Sequence, residues 1–379
     1  MIAAQAQAQT FQLLHSFTGF GDGSVPEAGV TLDRAGNLYG TTFQGTVFKL
    51  SHAGSGWVLS TLYTFAGGSD GARPASRVIF GPDGTLYGTT SEGGANGFGT
   101  VYNLRPPATV CKSTVCAWTE TIIHNFTGSD GAAPQLGDLV LDAGGNIYGT
   151  TSGGGAHGEG VVFELTPSGA GWTESVLYSF AGGNDGSVPY SGVTFDASGN
   201  LYGTTTLGGT HSVGTVYELT PSRLGWSETI LYAFDGRDHS FTPYGGVILD
   251  RQGNLYGTAC GGPDGAGTVF ELVPSNGGWS YNLVYGFSGY AGPRDAPTMD
   301  ASGNIFLTDL NTGPAQAGSV YKLTPGAGGW TATDLYDFNG ASTGAAPFGN
   351  IVLGADGNIY GTTTLGGTNN LGIVFDITP

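Results

Sequence analysis

One stretch of the chain reads Gly192-Val193-Thr194-Phe195-Asp196-Ala197-Ser198-Gly199-Asn200-Leu201-Tyr202-Gly203-Thr204-Thr205, then a glycine loop, then Gly214-Thr215-Val216-Tyr217-Glu218-Leu219. Val, Thr, Tyr and Phe alternate here with smaller or polar residues, the period-two pattern of half-buried strands. Asp-x-x-Gly-Asn between the first two runs is hairpin-turn chemistry. A further run from Trp226 to Phe234 follows. The stretch predicts four short strands, named a, b, c and d in chain order, and helical periodicity appears nowhere.

The same unit recurs on both sides. Its hydrophobic-Tyr-Gly-Thr-Thr core returns around Tyr39, Tyr87, Tyr148, Tyr202, Tyr256, Phe306 and Tyr360, seven copies spaced 48 to 61 residues apart. Strand d is the most regular element: Trp57, Trp118, Trp172, Trp226, Trp279 and Trp330 each precede a Phe by eight residues. Even spacing predicts both rings on one face of the strand, filling the space between neighbouring sheets as core. The chain opens with an orphan d-type strand, residues 10–17, and stops after strand c of the seventh copy, residues 372–377. The predicted fold is all-β: a seven-bladed β-propeller over residues 9–379, four strands per blade, its last blade closed by the N-terminal strand. Residues 1–8 read as a flexible leader or the small-residue end of a secretory signal.

The tandem Tyr-Gly-Thr-Thr and Gly-Thr-Val-Phe-x-Leu copies resemble the bacterial "GloVer" repeat of choice-of-anchor proteins. Six copies keep Gly-[Thr/Val/Ser]-Val-[Phe/Tyr]-x-Leu, and Gly372-Ile373-Val374-Phe375-Asp376-Ile377 is the variant. The strand layout is also similar to NHL-type propellers. The resemblance implies an exported or surface-held protein and carries no catalytic residues, so function has to be argued from sites.

Composition narrows the classes. With 71 glycines but 39% hydrophobic and 12% aromatic residues, the chain is turn-rich yet able to bury a core. Eleven basic against 29 acidic residues give a net charge of -18, which disfavours nucleic acid and anionic membrane surfaces as partners. No run is long enough for membrane insertion, and a monomer is expected. Cys111 and Cys116 are expected to close a small disulfide loop outside the cytosol, leaving Cys260 unpaired. No Gly-x-Ser-x-Gly elbow, Walker loop or zinc-protease motif occurs.

Positions set by blade geometry should repeat, whereas positions serving one site should not. The residue after each d-to-a loop proline breaks the repeat: Glu27, Ala75, Gln135, Tyr190, Tyr244, Arg294 and Phe348. In this strand order the d-to-a and b-to-c loops share the top face, so these residues are expected at the mouth of the axial channel. Nearby, Arg77, Asp138 and Asn350 replace a glycine of other copies. The aromatics offer stacking faces for a sugar ring, and Glu27 with Arg294 offers opposite charges. The expected ligand-binding set is therefore Glu27, Arg77, Asp138, Tyr190, Tyr244, Arg294 and Phe348.

Asp22, Asp70, Asp130 and Asp185 recur in the first four d-to-a loops. They read chiefly as turn chemistry, with calcium the metal such carboxylates could take; no cofactor is required. His15 and His124 occupy a Tyr position of strand d and read as structural variants, and His52 lies on the opposite face. His157, His211 and His239 are expected on the top face, where with Asp138 or Glu27 they are the candidates for acid-base catalysis. The leading expectation is a carbohydrate or cell-wall binder. The alternatives are a polysaccharide lyase or glycoside hydrolase on the same face, and a structural or adhesive scaffold.

Overall fold

In the computed structural model, which describes residues 9–54, 56–107, 118–169, 171–236, 241–261, 267–287 and 292–379, each repeat folds into four antiparallel strands. Blade 4 shows the pattern, with a at Thr194–Phe195, b at Leu201–Thr205, c at Thr215–Ser222 and d at Gly225–Ala233. Seven such sheets form the ring, and the described residues contain no α-helix, only two 3-10 turns at Gly68–Asp70 and Gly183–Asp185. The seventh sheet takes Thr10–Ser16 as its outer strand, paired antiparallel with Ile373–Thr378 from Thr10 opposite Thr378 to Ser16 opposite Ile373. Joining the termini in one sheet leaves no open seam in the ring. The leader expected at residues 1–8 and the Cys111–Cys116 pair lie outside the described residues.

Each residue of the Tyr-Gly-Thr-Thr signature has a separate task. The Tyr39, Tyr148, Tyr202, Tyr256 and Tyr360 hydroxyls donate to the aspartate of the a-to-b turn, at 2.7 to 3.4 Å. In blades 1, 3, 4, 5 and 6 that aspartate also accepts two backbone N–H groups and an Asn side chain, so the series is hairpin architecture. The glycine lies opposite the aromatic residue of strand c; a Cβ on Gly203 would stand 2.6 Å from Tyr217 Cζ. The first Thr stitches blades together: Thr41, Thr150, Thr204, Thr258 and Thr362 each donate to a strand-entry carbonyl of the next blade, at 2.6 to 2.9 Å. Each such buried bond contributes about 1 kcal/mol.

Strand d corrects the expectation that its Trp and Phe share a face. Every d strand carries a β-bulge against strand c, as between Val162 and Phe163, where Leu177 is the extra residue. The same shift occurs in all seven blades. One inserted residue flips the faces beyond it. Trp172 therefore packs back on Tyr87 of blade 2, while Phe180 packs forward on Tyr217 of blade 4. The tryptophans and phenylalanines do fill the inter-blade core, one at each side of a blade. All seven joints repeat the forward contact edge to face: Phe17 on Phe48, Phe65 on Tyr102, Phe126 on Phe163, Phe180 on Tyr217, Phe234 on Phe270, Phe287 on Tyr321 and Phe338 on Phe375. The hydrophobic core is thus seven clusters, each shared by two blades.

Around the axis the a strands meet backbone to backbone. A Cβ on Gly29 would collide with the Asn350 carbonyl, one on Gly192 with that of Asp138, and one on Gly245 with that of Asp295. Glycine here permits the inner ring to close and leaves a channel.

Candidate functional site

The d-to-a and b-to-c loops lie together, joined by short bridges such as Ala132 with Gly153 and Ser187 with Leu207. In six of the seven blades their contact fixes the residue that precedes the loop proline in an unusual conformation. Val25, Arg73, Ala133, Val188, Thr242 and Ala346 all have positive φ, between 44° and 57°. Non-glycine residues rarely adopt this region, β-branched ones least, at a cost of about 1–3 kcal/mol each. Two backbone hydrogen bonds hold such a residue. Val188, for example, donates to the Glu159 carbonyl of blade 3 and accepts from Thr206 of blade 4. Val25, Ala133, Thr242 and Ala346 are clamped in the same way. The strain aims the proline and the residue after it toward the axis in a fixed direction.

Those aimed residues form a ring between two contiguous cavities. Glu27, Ala75, Tyr244, Arg294 and Phe348 line both, while Gln135 and Tyr190 line only the upper one. The upper cavity, of about 440 Å³, also touches Phe43, Arg73 and Glu92; the lower, of about 430 Å³, runs along the a strands past Arg77, Asp138 and Asn350. All seven residues expected in a ligand site therefore face this channel.

Their chemistry is unequal. The Arg294 guanidinium lies 4.8 Å from the Tyr244 ring centroid and 5.5 Å from that of Phe348. Tyr190 meets Tyr244 edge to face at 5.5 Å. Among the described residues Arg294 forms no ion pair with a carboxylate, and its buried Nε has no hydrogen-bond partner. Burial pushes the Glu27 carboxyl above the usual range, with the Arg73 charge opposing the shift. Arg77 and Asp138 instead satisfy each other: Nε and the backbone N–H donate to the two carboxylate oxygens at 2.9 and 3.1 Å, and the other guanidinium nitrogen lies at 2.7 Å. Asn350 of blade 7 reaches Asp138 of blade 3 at 3.5 Å. This lower trio braces the channel, whereas Arg294 has no carboxylate partner among the described residues and its side chain reaches the Cys260 thiol.

Behind Arg294 lies a buried group that the comparison of loop residues overlooked. Asp295 is fully buried with its carboxyl held well above the ordinary value by desolvation, and Oδ1 has no partner. Burial likewise raises Asp309 to about 6 and the Cys260 thiol to about 12. Cys260 is a free, buried cysteine whose Sγ donates to the Pro293 carbonyl at 2.9 Å. Asp309 stands where five of the other six copies have the second Thr of Tyr-Gly-Thr-Thr, so its departure from the repeat was the available signal.

The remaining candidates lie elsewhere. His157 and His211 are exposed and line neither cavity; His211 bonds only its neighbour Thr210 at 3.0 Å. His239 lies outside the described residues. Asp22, Asp70, Asp130 and Asp185 belong to four different joints and close their own loops, as Asp185 does by accepting from Tyr178 Oη and the Ala181 N–H. The described residues contain no helix long and apolar enough to cross a membrane.

The model of the Gloeobacter/Verrucomicrobia repeat family matches residues 3–116 and 107–294, more than half of the chain. No protein of curated function matches. Among solved structures, the chain is similar to the extracellular domain of a candidate hybrid two-component system from B. thetaiotaomicron, with a TM-score of 0.58 and 14% identity over 97% of this chain and 39% of that one. It is also similar to a candidate oxidoreductase (glucose dehydrogenase) of Thermus thermophilus, with a TM-score of 0.48 and 16% identity over 97% of this chain and 99% of that one. At 14% identity the likeness to the two-component system domain is one of fold.

Proposed function

We propose that this chain, which belongs to the Gloeobacter/Verrucomicrobia repeat family, is an exported binding propeller that takes a carbohydrate or cell-envelope glycan at the top-face channel mouth. One observation carries the reading: the Arg294 guanidinium lies over the Tyr244 and Phe348 rings, with no carboxylate partner among the described residues, where the two cavities share their lining. A chain of net charge -18 that keeps at a concave site a cation lying over two aromatic rings, without a carboxylate partner among the described residues, is suited to a ligand with an acidic group. Tyr190 and Phe348 supply stacking faces for a sugar ring, and half-buried Glu27 and Gln135 supply polar contacts to its hydroxyls. Glycans bearing uronic or other acidic groups fit this set better than neutral ones. Export rests on the small-residue stretch from Met1 to Ala8 and on the family resemblance.

The test is a glycan array holding matched neutral and acidic glycans, followed by calorimetry on the best binders. Acidic glycans should bind, and Tyr190→Ala, Tyr244→Ala and Arg294→Ala together should weaken binding about 30-fold or more, as expected for truncated anchor residues. Binding that survives the triple substitution places the ligand elsewhere. Release of reducing ends from the same glycans would replace the binding reading with a catalytic one.

A further inference from the structure

At three joints in a row, a strand-d residue two before the Phe meets the loop aspartate of its own blade. A glutamate two after the Trp of the next blade comes up beside them. The trios are Tyr63-Asp70-Glu120, His124-Asp130-Glu174 and Tyr178-Asp185-Glu228. In the first and third, the phenol donates to the aspartate at 2.7 and 2.6 Å and satisfies it. In the middle one histidine replaces tyrosine. His124 Nε2 lies 3.2 Å from Asp130 Oδ2 but outside hydrogen-bond geometry, and both it and Glu174 Oε1 are buried without a hydrogen-bond partner.

We propose that His124, Asp130 and Glu174 bind one first-row divalent transition cation, with Zn²⁺ the best fit, at the joint of blades 2 and 3. One ligand atom from each residue lies within 4.8 Å of the others, the one such grouping of His, Cys, Asp or Glu among the described residues. Tetrahedral Zn²⁺ with N and O ligands at about 2.1 Å spaces its ligands about 3.4 Å apart, so a small rotation of two side chains closes the set. A neutral imidazole beside two carboxylates is a borderline donor set, which favours Zn²⁺ over the oxygen-seeking Ca²⁺ and Mg²⁺. Three protein ligands leave a fourth position for water.

Supporting electrostatics run the same way. Desolvation lowers the His124 pKa against the opposing Asp130 charge, the direction that favours the neutral ring a metal needs. Burial, with the Asp130 charge, pushes Glu174 up to about 7, a cost that a bound cation removes. The molecule also contains its own control. His15 and Asp22 repeat the His-Asp pair at 3.0 Å, here as a true hydrogen bond, but the glutamate position of the adjoining blade is Leu59.

The experiment uses the full chain freed of metal, titrated with ZnCl₂ by calorimetry, with elemental analysis after dialysis. One Zn²⁺ per chain is expected, with a higher melting temperature on loading and no competition from equal Ca²⁺ or Mg²⁺. His124→Tyr installs the residue of the neighbouring joints and restores a phenol-aspartate bond. It should keep the unloaded melting temperature and weaken Zn²⁺ at least about tenfold. His15→Tyr should change neither the stoichiometry nor the affinity. Should His124→Tyr fold poorly, Glu174→Gln tests the same site with an isostere. Absence of Zn²⁺ uptake overturns the proposal. So does uptake retained in both variants, which would place the ion on exposed histidines, or preference for Ca²⁺ over Zn²⁺ at these residues.

Discussion

The joints between blades and the ring at the channel mouth are built from the same seven repeats and have opposite characters. At the joints, the strand-d Phe meets the next strand-c aromatic seven times, with centroids 4.9 to 5.3 Å apart. At the mouth, the equivalent positions hold Glu27, Ala75, Gln135, Tyr190, Tyr244, Arg294 and Phe348. The joint residues are buried against a partner blade, so each must fit both its own sheet and the next. The ring residues face the channel and one another and lie in no inter-blade cluster, and six of the seven follow a strained residue before the proline, so their side chains are free to differ. Stability is thereby carried by one set of atoms of the repeat and, on the proposed reading, recognition by another.

The largest effect should come from opening the joint that closes the ring. Removing residues 1–17 deletes Thr10–Ser16 and the Phe17–Phe48 contact, and exposes the edge of Ile373–Thr378. Thermal unfolding should lose cooperativity and shift sharply downward, with dye-detectable apolar surface. An unchanged transition would mean that the termini do not close the ring. Next in size, Phe126→Ala opens a cavity in one joint, where Phe126 is wholly buried in a cluster with Val101, Phe163 and Leu165. About 3–5 kcal/mol is expected from such a truncation, measured by denaturant titration. A loss below about 1 kcal/mol would show that the joints do not carry the stability.

A smaller effect separates the joints by pH. Glu120 and Glu174 are raised from 4.5 to about 7, and Glu228 to about 8, by burial and by a neighbouring aspartate charge. Between the unfolded value near 4.5 and these folded values, the native state binds more protons than the unfolded one. Stability therefore falls as pH rises through that window. Asp33, Asp142 and Asp300, held below the ordinary value of 3.8 by Asn side chains and backbone N–H groups, act in the other direction and lose their contribution as pH falls below it. Melting temperature, measured with a chelator present, should peak near pH 5 and decline toward pH 8. Glu120→Gln, Glu174→Gln and Glu228→Gln together should flatten the decline; a slope unaltered by all three would assign it to other groups.

What was legible in the sequence follows the same division. Tyr-Gly-Thr-Thr was readable because its tyrosine, glycine and first threonine have tasks that most blades repeat, and the two orphan ends were readable because a ring must close. The flip between Trp172 and Phe180 was not, because the bulge at Leu177 leaves the spacing of the letters unchanged and alters only which face they occupy. The mouth residues stood out by failing to repeat. Their inequality did not: sequence cannot show that Arg77 and Asp138 satisfy each other while Arg294 stacks without an ion-pair partner. In the sequence His124 looks like a substitute for tyrosine, since Glu174 comes from the next blade and only the packed joint brings the two together.

The ring should be the region where substitution costs least stability and most binding. Tyr190, Tyr244, Arg294 and Phe348 are half-buried and contact one another, the channel walls and the space above them; none sits in an inter-blade cluster. Tyr190→Ala should leave the melting temperature within a few degrees of the parent, whereas the same truncation at Phe126 should not. Arg294→Lys sharpens the comparison further. Lysine keeps the positive charge and loses the flat guanidinium that fits between Tyr244 and Phe348 and that can hold a carboxylate with two parallel N–H groups. If the cation acts only through its charge, acidic glycans will bind the lysine variant as well as the parent. If the stacked plane is what the ring presents, affinity should fall about tenfold or more while stability stays unchanged, and the preference for acidic over neutral glycans should narrow. A lysine variant that unfolds several degrees early would instead make Arg294 a structural support for Tyr244 and Phe348, and would move the ring from the recognition side of the comparison to the stability side.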